Sequence, residues 1–598
     1  MKFVSLHTHN TESHGDGFGT VVEHGQRVHE LGMSAVAMTD HRNTNCHVEL
    51  EMIGQQLGLK TIYGCEFNVT ERDAKERRQF HQTVLAMDEE GYRNLNRLVT
   101  ISYKQSYQWP RIYTDQILDP ELTKGLIVLS GCADSWLSCT ILGGKAWGDR
   151  REDWRQEDIQ AGRVLIEQFQ EVYDDRYYLE CQQFPGLERS TILNQAFMDL
   201  SQVTGVKPVV TADVHYPNGD DNEMQRLLHA AHRGGTVTTM DADWEYNILL
   251  TYPESDAQVI NALKQQQLTD EEANRCLDTT AEIAARCNVE LPRSEPVRYK
   301  GDKIASTVTE SMGFQEIAAE TLKEWIEEGI DYRLRTNPAF KKRFEANEQG
   351  YIDRILTEFP VIDSKGFCDY FLVTADLVVH AKDIGIGVGP GRGSAAGSLI
   401  CYLLRITEID PMQFPLMQFE RFIDPSRDDM PDIDIDFQDD RRWEMFQYAA
   451  DTYGPDYTAN IGSKTRYRGK TALNDVGRAY QIPFAPLRKI TDLIVDRPDG
   501  DPRENDSVSD TIESFEAAQE VVDQYPMLAL AARLEGNIRG MGMHAAGLVI
   551  SNTPISDVCA VYTKTKADGT EASIVSFDKR AAERLGMLKL DMLGLATM

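Results

Sequence analysis

Residues 430–437 read MPDIDIDF, so that Asp432, Asp434 and Asp436 alternate with Ile433 and Ile435. On an extended chain a period of two puts the three carboxylates on one face and the isoleucines on the other, which predicts a strand with an apolar back. Three like charges side by side destabilise a bare sheet. A solvated edge strand is one reading, whereas divalent cations give the arrangement a positive reason. The acidity is local: residues 424–442 hold eight acids against three bases. Near the end of the chain, GMLKLDMLG alternates Leu588, Leu590 and Met592 with Lys589 and Asp591, a second strand presenting a single acid. Two such strands side by side could hold two Mg2+ ions for in-line attack on a phosphate.

Just before the acidic strand, residues 385–398 read GIGVGPGRGSAAGS. This run is expected to follow a short strand and a helix, because Phe371, Ala375, Val378 and Val379 fall at i, i+4, i+7 and i+8. Glycine lets successive N–H groups converge on an anion, Arg392 adds charge and Ser394 a hydroxyl donor. The spacing matches neither common phosphate-loop pattern, so its weight comes from the acids beside it.

The first third of the chain is organised differently. Strand-like runs at 34–39 (SAVAMT), 61–63, 125–130 (GLIVLS) and 206–211 (VKPVVT) alternate with helical stretches at 20–31 and 163–172, which favours an α/β layer or barrel. Ligand-type residues gather at the carboxyl ends of these strands, where such folds place their chemistry. His7 and His9, at i and i+2 on an opening strand, share one face, and Asp16 follows in a Gly-Asp-Gly turn. Then come His41 after Asp40, Glu66 after Cys65, His81 in FHQTVLA, Cys132 after GLIVLSG, and Asp213 with His215 in VVTADVHY. A lone histidine in such a place is usually structural, and His24, His29 and His47 read that way. Two separate HxH and DxH pairs at strand ends have no packing reason to recur, and they point to metal. Mixed His, Asp, Glu and Cys ligation does not fix which metal.

Length and charge bound the rest. At about 150 residues per domain, 598 residues suggest roughly four domains, or fewer larger ones. The 95 acidic against 62 basic residues give a net charge of −33, which excludes a uniformly basic, nucleic-acid-coating surface. A local basic patch remains: Lys464, Arg466, Arg468 and Lys470, with Arg478, Arg488 and Lys489 against Asp475, where duplex phosphates or plain solvent would lie. No stretch reaches the ~18 apolar residues of a membrane span, and MKFVSLHTHN has no secretory pattern. Ten scattered cysteines without a CxxC pair suggest reduced thiols and a cytoplasmic location. Residues 291–303 (LPRSEPVRYKGDK) are the best internal linker, and a charged amphipathic helix is expected at 309–332.

The order HTH, GDG, TDH, GCE, FHQT, LSGC, ADVHY resembles the PHP (polymerase and histidinol phosphatase) domain. That resemblance implies a distorted seven-stranded β/α barrel over 1–235, whose nine metal ligands fall on His7, His9, Asp16, His41, Glu66, His81, Cys132, Asp213 and His215. It also implies up to three Zn2+, Mn2+ or Fe2+ ions and phosphoester hydrolysis. The run KGFCDYFLVTADLVVHAKDIGIGVGPGRGSAAGS, with FERF, MPDIDIDF, GMHAAGLVI and LKLDMLGL after it, resembles the C-family bacterial replicative DNA polymerases of the DNA polymerase III alpha type. For 236–303 this implies a connecting region. A β-type nucleotidyltransferase palm would occupy 304–462 and 541–598, with a helical thumb inserted at 463–540. The fold class is then α/β and α+β, multidomain.

Carried onto this sequence, the resemblance makes Asp432, Asp434 and Asp591 the catalytic triad with two Mg2+ ions, and leaves Asp436 aside. Arg392, Gly393, Ser394, Arg421 and Lys589 would bind the nucleotide, and Lys464, Arg466, Arg468 and Lys470 the DNA. His544 in GMHAAG matches a palm residue without an assigned role, and IGSKTRYRGKT departs from the family's usual ITFGTMAAK-like stretch. The implied activity is that of a DNA-directed DNA polymerase acting on primer-template DNA and dNTPs, with no membrane involvement. The unbroken nine-ligand set adds the expectation of 3′–5′ exonuclease proofreading. Family members continue into fingers and clamp-binding regions, so a sliding clamp and replisome subunits are expected to meet a portion beyond residue 598. Two alternatives stand beside this reading: a PHP phosphoesterase or pyrophosphatase, and an inactive N-terminal half of a split polymerase.

Overall fold

Short apolar runs in the first third become buried strands because each needs cover on both faces. The structure is a computed structural model that describes residues 1–72, 79–143, 156–240, 248–309, 311–426, 430–498, 500–565 and 570–595. Its first sheet comprises β1 (Ala35–Met38), β2 (Lys60–Thr70), β3 (Phe80–Ala86), β4 (Ile112–Tyr113), β5 (Leu126–Leu129), β6 (Tyr177–Gln182) and β7 (Pro208–Thr211). The order is β1–β2–β3–β5–β6–β7, with β4 on β2. Pairings are parallel except on either side of β3.

The expected opening strand is instead an extended segment that pairs only at Thr8. Its upstream N–H groups go to side chains, Phe3 to Asp256 Oδ1 at 2.9 Å and Val4 to Thr280 Oγ1 at 3.1 Å, so no ladder forms there. Around Thr8 the segment still joins both edges of the curled sheet. The His9 N–H donates to Val214 O at 2.6 Å, just past β7, and the Thr39 N–H donates to Thr8 O at 2.9 Å, just past β1.

The chain divides into two compact units, the first made of Met1–Pro292, Ser463–Gly542 and Cys559–Thr563. Within it Met224, Leu227 and Leu228 share one core with Leu473 and Val476 from the helix Gly469–Ala479. The second unit holds Arg293–Gly462, Met543–Val558 and Lys564–Met598. The later strands are β8 (Asp434–Gln438), β9 (Thr458–Arg466), β10 (Ile538–Ile550), β11 (Val561–Thr565), β12 (Glu571–Val575) and β13 (Leu588–Leu595). In the second unit neighbours run β12–β9–β10–β13–β8, and β13 lies parallel to β8 with Asp591 opposite Asp434. Ile433, Ile435, Leu588, Leu590 and Met592 are buried in one cluster with Phe371, Leu372 and Val378 of the helix Cys368–Asp383.

One expectation is corrected. The strand carrying the acids starts at Asp434, not before Asp432, because Pro431 has no N–H and the Ile433 N–H donates to Tyr370 Oη at 3.0 Å rather than to a neighbouring strand. Residues 293–303 have no regular structure, and the boundary between the two units falls at Pro292 and Arg293, within the expected linker 291–303. Ser294 is buried, its N–H donating to Leu585 O at 2.7 Å, and the Tyr299 N–H donates to Asp369 Oδ1 at 2.7 Å. Of the acidic run, Arg427, Asp428 and Asp429 lie outside the described residues.

His24 and His47 are structural, as expected: both are buried with each ring nitrogen hydrogen-bonded, while His29 is exposed. Burial holds the His24 imidazole down to about 4. An unfolded histidine titrates near 6.5, so the unfolded state takes up a proton first and stability falls as pH drops from about 6.5 toward 4. The expected loss is at most about 3 kcal/mol, and a His24→Gln variant should show a flatter fall in melting temperature between pH 7 and pH 4.5. An equal fall in both proteins would contradict this account.

Candidate metal centres

In the first unit nine side chains converge: His7 and His9 from the extended opening segment, Asp16 from a turn, Glu66 from within β2, His81 from the start of β3, and His41, Cys132, Asp213 and His215 from just after β1, β5 and β7. His7 Nε2 lies 3.3 Å from Glu66 Oε1 and 3.4 Å from Asp213 Oδ1, and His9 Nε2 lies 3.6 Å from the same Asp213 oxygen. His41 spans Glu66 and Asp16, with Nδ1 2.6 Å from Glu66 Oε2 and Nε2 3.1 Å from Asp16 Oδ2. His81 Nδ1 is 3.3 Å from Glu66 Oε1 and 3.6 Å from the Cys132 sulfur, and His215 reaches both Asp16 and Asp213. Three donor sets close to within 4.8 Å: His9, His41 and His215; His7, His9 and Glu66; Glu66, His81 and Cys132. His7 Nε2, His9 Nε2 and Asp213 Oδ1 are buried without a hydrogen-bond partner. Orphaned donors and acceptors converging on one point are what a site for cations leaves behind, so the residues fit divalent ions. Asp213 also sits at φ +44°, a left-handed conformation that a non-glycine residue holds only when its surroundings impose it.

The electrostatics are divided. Burial lowers His7 and His41, but neighbouring carboxylates (Asp213 and Glu180 for His7; Glu66 and Asp16 for His41) win and raise both, His41 to about 9, whereas His9 goes the other way. Burial, then the neighbouring His41 and His215, pushes His9 well below the usual histidine range, which leaves a neutral ring able to ligate. Burial opposes ionisation of Asp16, Glu66 and Asp213, yet the surrounding histidines win and hold all three well below the carboxylate range.

Sequence reasoning missed the groups that orient these ligands. Glu180, in the middle of β6, accepts from His7 Nδ1 at 2.6 Å and from Thr211 Oγ1 at 2.7 Å; a lone acid within YYLECQ was the available signal. His229 Nε2 sits 2.7 Å from Asp16 Oδ1, and Gln182 donates to Asp213 Oδ2 at 3.0 Å.

In the second unit the ligand atoms of Asp432, Asp434 and Asp591 lie within 4.8 Å of one another. Two ammonium groups sit among them. Lys589 Nζ is 2.9 Å from Asp432 Oδ1 and 2.8 Å from Asp591 Oδ2, while Lys579 Nζ is 3.1 Å from Asp432 Oδ2. Lys579 was not foreseen, since nothing local in SFDKRAAER marks it. Burial and then the charges of Asp432 and Asp591 raise Asp434 above the ordinary carboxylate range. For Asp432, burial acts the same way but Lys589 and then Lys579 win and lower it. Three acids that need two cations for company are a donor set suited to divalent ions.

The glycine-rich loop abuts this cluster. A Cβ on Gly393 would sit 3.7 Å from Asp434 Oδ2, and Gly393 holds φ +62° with ψ −155°, a conformation open essentially to glycine alone. The expected short strand before the loop is a single bridge, Val388 to Phe437, on the outer edge of β8. Arg392 Nη1 is 3.1 Å from Asp436 Oδ1, and Ser394 opens the 3-10 turn Ser394–Gly397. Arg421 is exposed at the end of the 3-10 turn Phe419–Arg421, and Gly397 fits closely against Gln418 O. Lys589 is buried beneath Asp432 rather than open to the loop, and His544 is exposed on β10.

Residues 5–184 match the family described as PHP domain, and residues 320–594 match that described as Bacterial DNA polymerase III alpha NTPase domain. The whole chain aligns with the DNA polymerase III subunit alpha of Escherichia coli (strain K12) at 31% identity, covering 48% of that protein. Over its whole length the chain is similar to DNA polymerase III alpha subunits. The same subunit of Buchnera aphidicola is 30% identical, with 48% of it covered, and that of Thermus aquaticus 30% identical, with 51% covered. The chain thus spans about half the length of the DNA polymerase III alpha subunits it matches. Among the described residues no helix is long and apolar enough to cross a membrane.

One residue assigned to DNA contact on the family resemblance is corrected by its surroundings. The Lys464 side chain is buried, with Nζ 2.8 Å from Glu12 Oε1 and 3.0 Å from Glu49 Oε1, so its ammonium is committed within the first unit. Arg466 donates to Gly536 O at 2.8 Å and Arg468 to Glu504 O at 3.3 Å, while Lys470 is exposed beside Asp496. Glu12 is itself buried; burial opposes its charge, but Lys464 and then His14 hold it far below the carboxylate range. Lys464→Met should therefore strand a buried carboxylate and cost about 3 to 5 kcal/mol, read as a large drop in melting temperature. Adding Glu12→Gln should recover most of it; a single variant as stable as the parent would contradict the pairing.

Proposed function

We propose that the chain extends a DNA primer with deoxynucleoside triphosphates in a template-directed way, and that its PHP centre removes nucleotides from a 3′ end. The observation that carries the first activity is the convergence of Asp432, Asp434 and Asp591 beside the Gly393 turn. On this reading 304–462 and 541–598 form the palm and 463–540 the thumb, in a cytoplasmic protein. The triad would hold two Mg2+ ions, and the PHP ligands up to three of Zn2+, Mn2+ or Fe2+. Bound there, such ions supply Lewis-acid activation of the attacking oxygen and neutralise charge on the phosphate.

The chain's own residues do the remaining work. Arg392, with Nε 4.0 Å from Asp434 Oδ2, stands where it can swing from the acids to a triphosphate arriving over the glycine turn. Gly391 (φ +123°) and Gly393 leave the backbone of this turn free of side chains where a phosphate would approach. Burial opposes the charge of Asp432, but Lys589 and then Lys579 hold it below the usual carboxylate range, ready to take a cation. At the PHP centre, Glu180 fixes His7 by accepting a hydrogen bond from its Nδ1–H, which leaves Nε2 to face the site as a ligand. Exposed Lys470, with Arg466 and Arg468, remains the DNA-facing part of the basic stretch. Primer-template DNA and dNTPs are the substrates, with a sliding clamp and replisome subunits as partners of the longer proteins in this family. Single-nucleotide incorporation on a primed template tests the reading: the complementary dNTP should be added in preference to the other three, and addition indifferent to the template base would overturn it.

A further inference from the structure

A cavity of about 600 Å3 opens from the PHP centre on the side of Asp16, His41 and His81. That volume is within the roughly 300 to 1,000 Å3 of small-ligand sites. Its far wall is chemically unlike the metal ligands. Trp109 stands there with 55% of its surface exposed, and the Arg42 guanidinium lies 4.7 Å from the centre of its ring. Arg233 lines both this cavity and the metal pocket. Arg42 is the residue after the ligand His41; it holds φ +61°, and its N–H donates to the carbonyl oxygen of the ligand Glu66 at 2.8 Å. The indole platform is thereby tied to the backbone of two metal ligands, in a strained conformation that a non-glycine residue keeps only where the surroundings require it.

An exposed indole backed by a guanidinium, with a second arginine between it and a metal centre, has the make-up of a single-stranded nucleotide subsite: a stacking plane for the base and cations for the phosphates. We propose that this cavity receives the terminal nucleotide of a single-stranded DNA 3′ end, its base on Trp109 and its phosphate drawn toward the metal ligands by Arg233. The proposal rests on the 3′-end reading of the PHP centre and specifies what that centre recognises. A hydrolase for small phosphate esters would have no use for the platform.

Binding, not turnover, is the test. A 5′-labelled deoxytrinucleotide with phosphorothioate linkages is titrated by fluorescence anisotropy into the purified chain, with melting temperatures as the folding control. Trp109→Ala should weaken binding about tenfold and Trp109→Phe only slightly. A trinucleotide whose 3′ residue is abasic should bind the parent protein as weakly as the intact one binds Trp109→Ala. Equal affinity of the parent and Trp109→Ala proteins for the intact trinucleotide would overturn the subsite. Absence of 3′ shortening by a parent protein that does show the Trp109-dependent binding would overturn the nuclease reading and leave the subsite standing.

Discussion

Replacing Asp434 by Asn is expected to lower nucleotide incorporation by about a thousandfold or more while leaving the fold intact. Metal-assisted charge stabilisation is worth several kcal/mol, and about 4 kcal/mol corresponds to about three powers of ten in rate. Asp434 faces Asp591 directly across parallel strands and shares a 4.8 Å cluster with it and Asp432, so the amide removes a ligand without removing volume. The variant should melt no lower than the parent, because Asp434 is pushed up by burial and by its acidic neighbours, and losing its charge relieves repulsion. Steady-state incorporation on a primed template, with a melting curve alongside, checks both halves. Incorporation within tenfold of the parent would remove Asp434 from the catalytic set.

The second large effect belongs to His9. Its Nε2 is buried, lacks a hydrogen-bond partner and belongs to two of the three donor sets, so His9→Ala should break two ligand groups at once. Changing residues that merely orient a ligand costs about 10- to 100-fold, so loss of this ligand should lower metal-dependent shortening of a primer 3′ end by at least about a hundredfold. Incorporation should be unaffected. Shortening that persists in the purified variant at the parent's rate would place that activity elsewhere.

Much of this was legible in sequence for physical reasons. The alternation of MPDIDIDF and of LKLDM has one structural solution, a pair of strands with acids on one face, and β8 and β13 adopt it. Histidines at strand ends were visible because polar ligands in apolar surroundings stand out. What was not legible depends on contacts distant in sequence. Whether Lys464 meets solvent or Glu12 is set by a partner 452 positions away. The start of β8 at Asp434 was decided by Tyr370, and the absence of a ladder at Phe3 and Val4 by Asp256 and Thr280. Glu180 and Lys579 lie in stretches whose local pattern is ordinary, and only the fold brings them to the ligands.

The most direct measurement uses one 5′-labelled primer on a template, Mg2+ and Mn2+, and the purified 598-residue chain, with product lengths resolved with and without dNTPs. The account predicts a ladder of longer products when dNTPs are present and of shorter ones when they are withheld. A primer that stays at its original length under both conditions, in a protein that melts cooperatively, would contradict it.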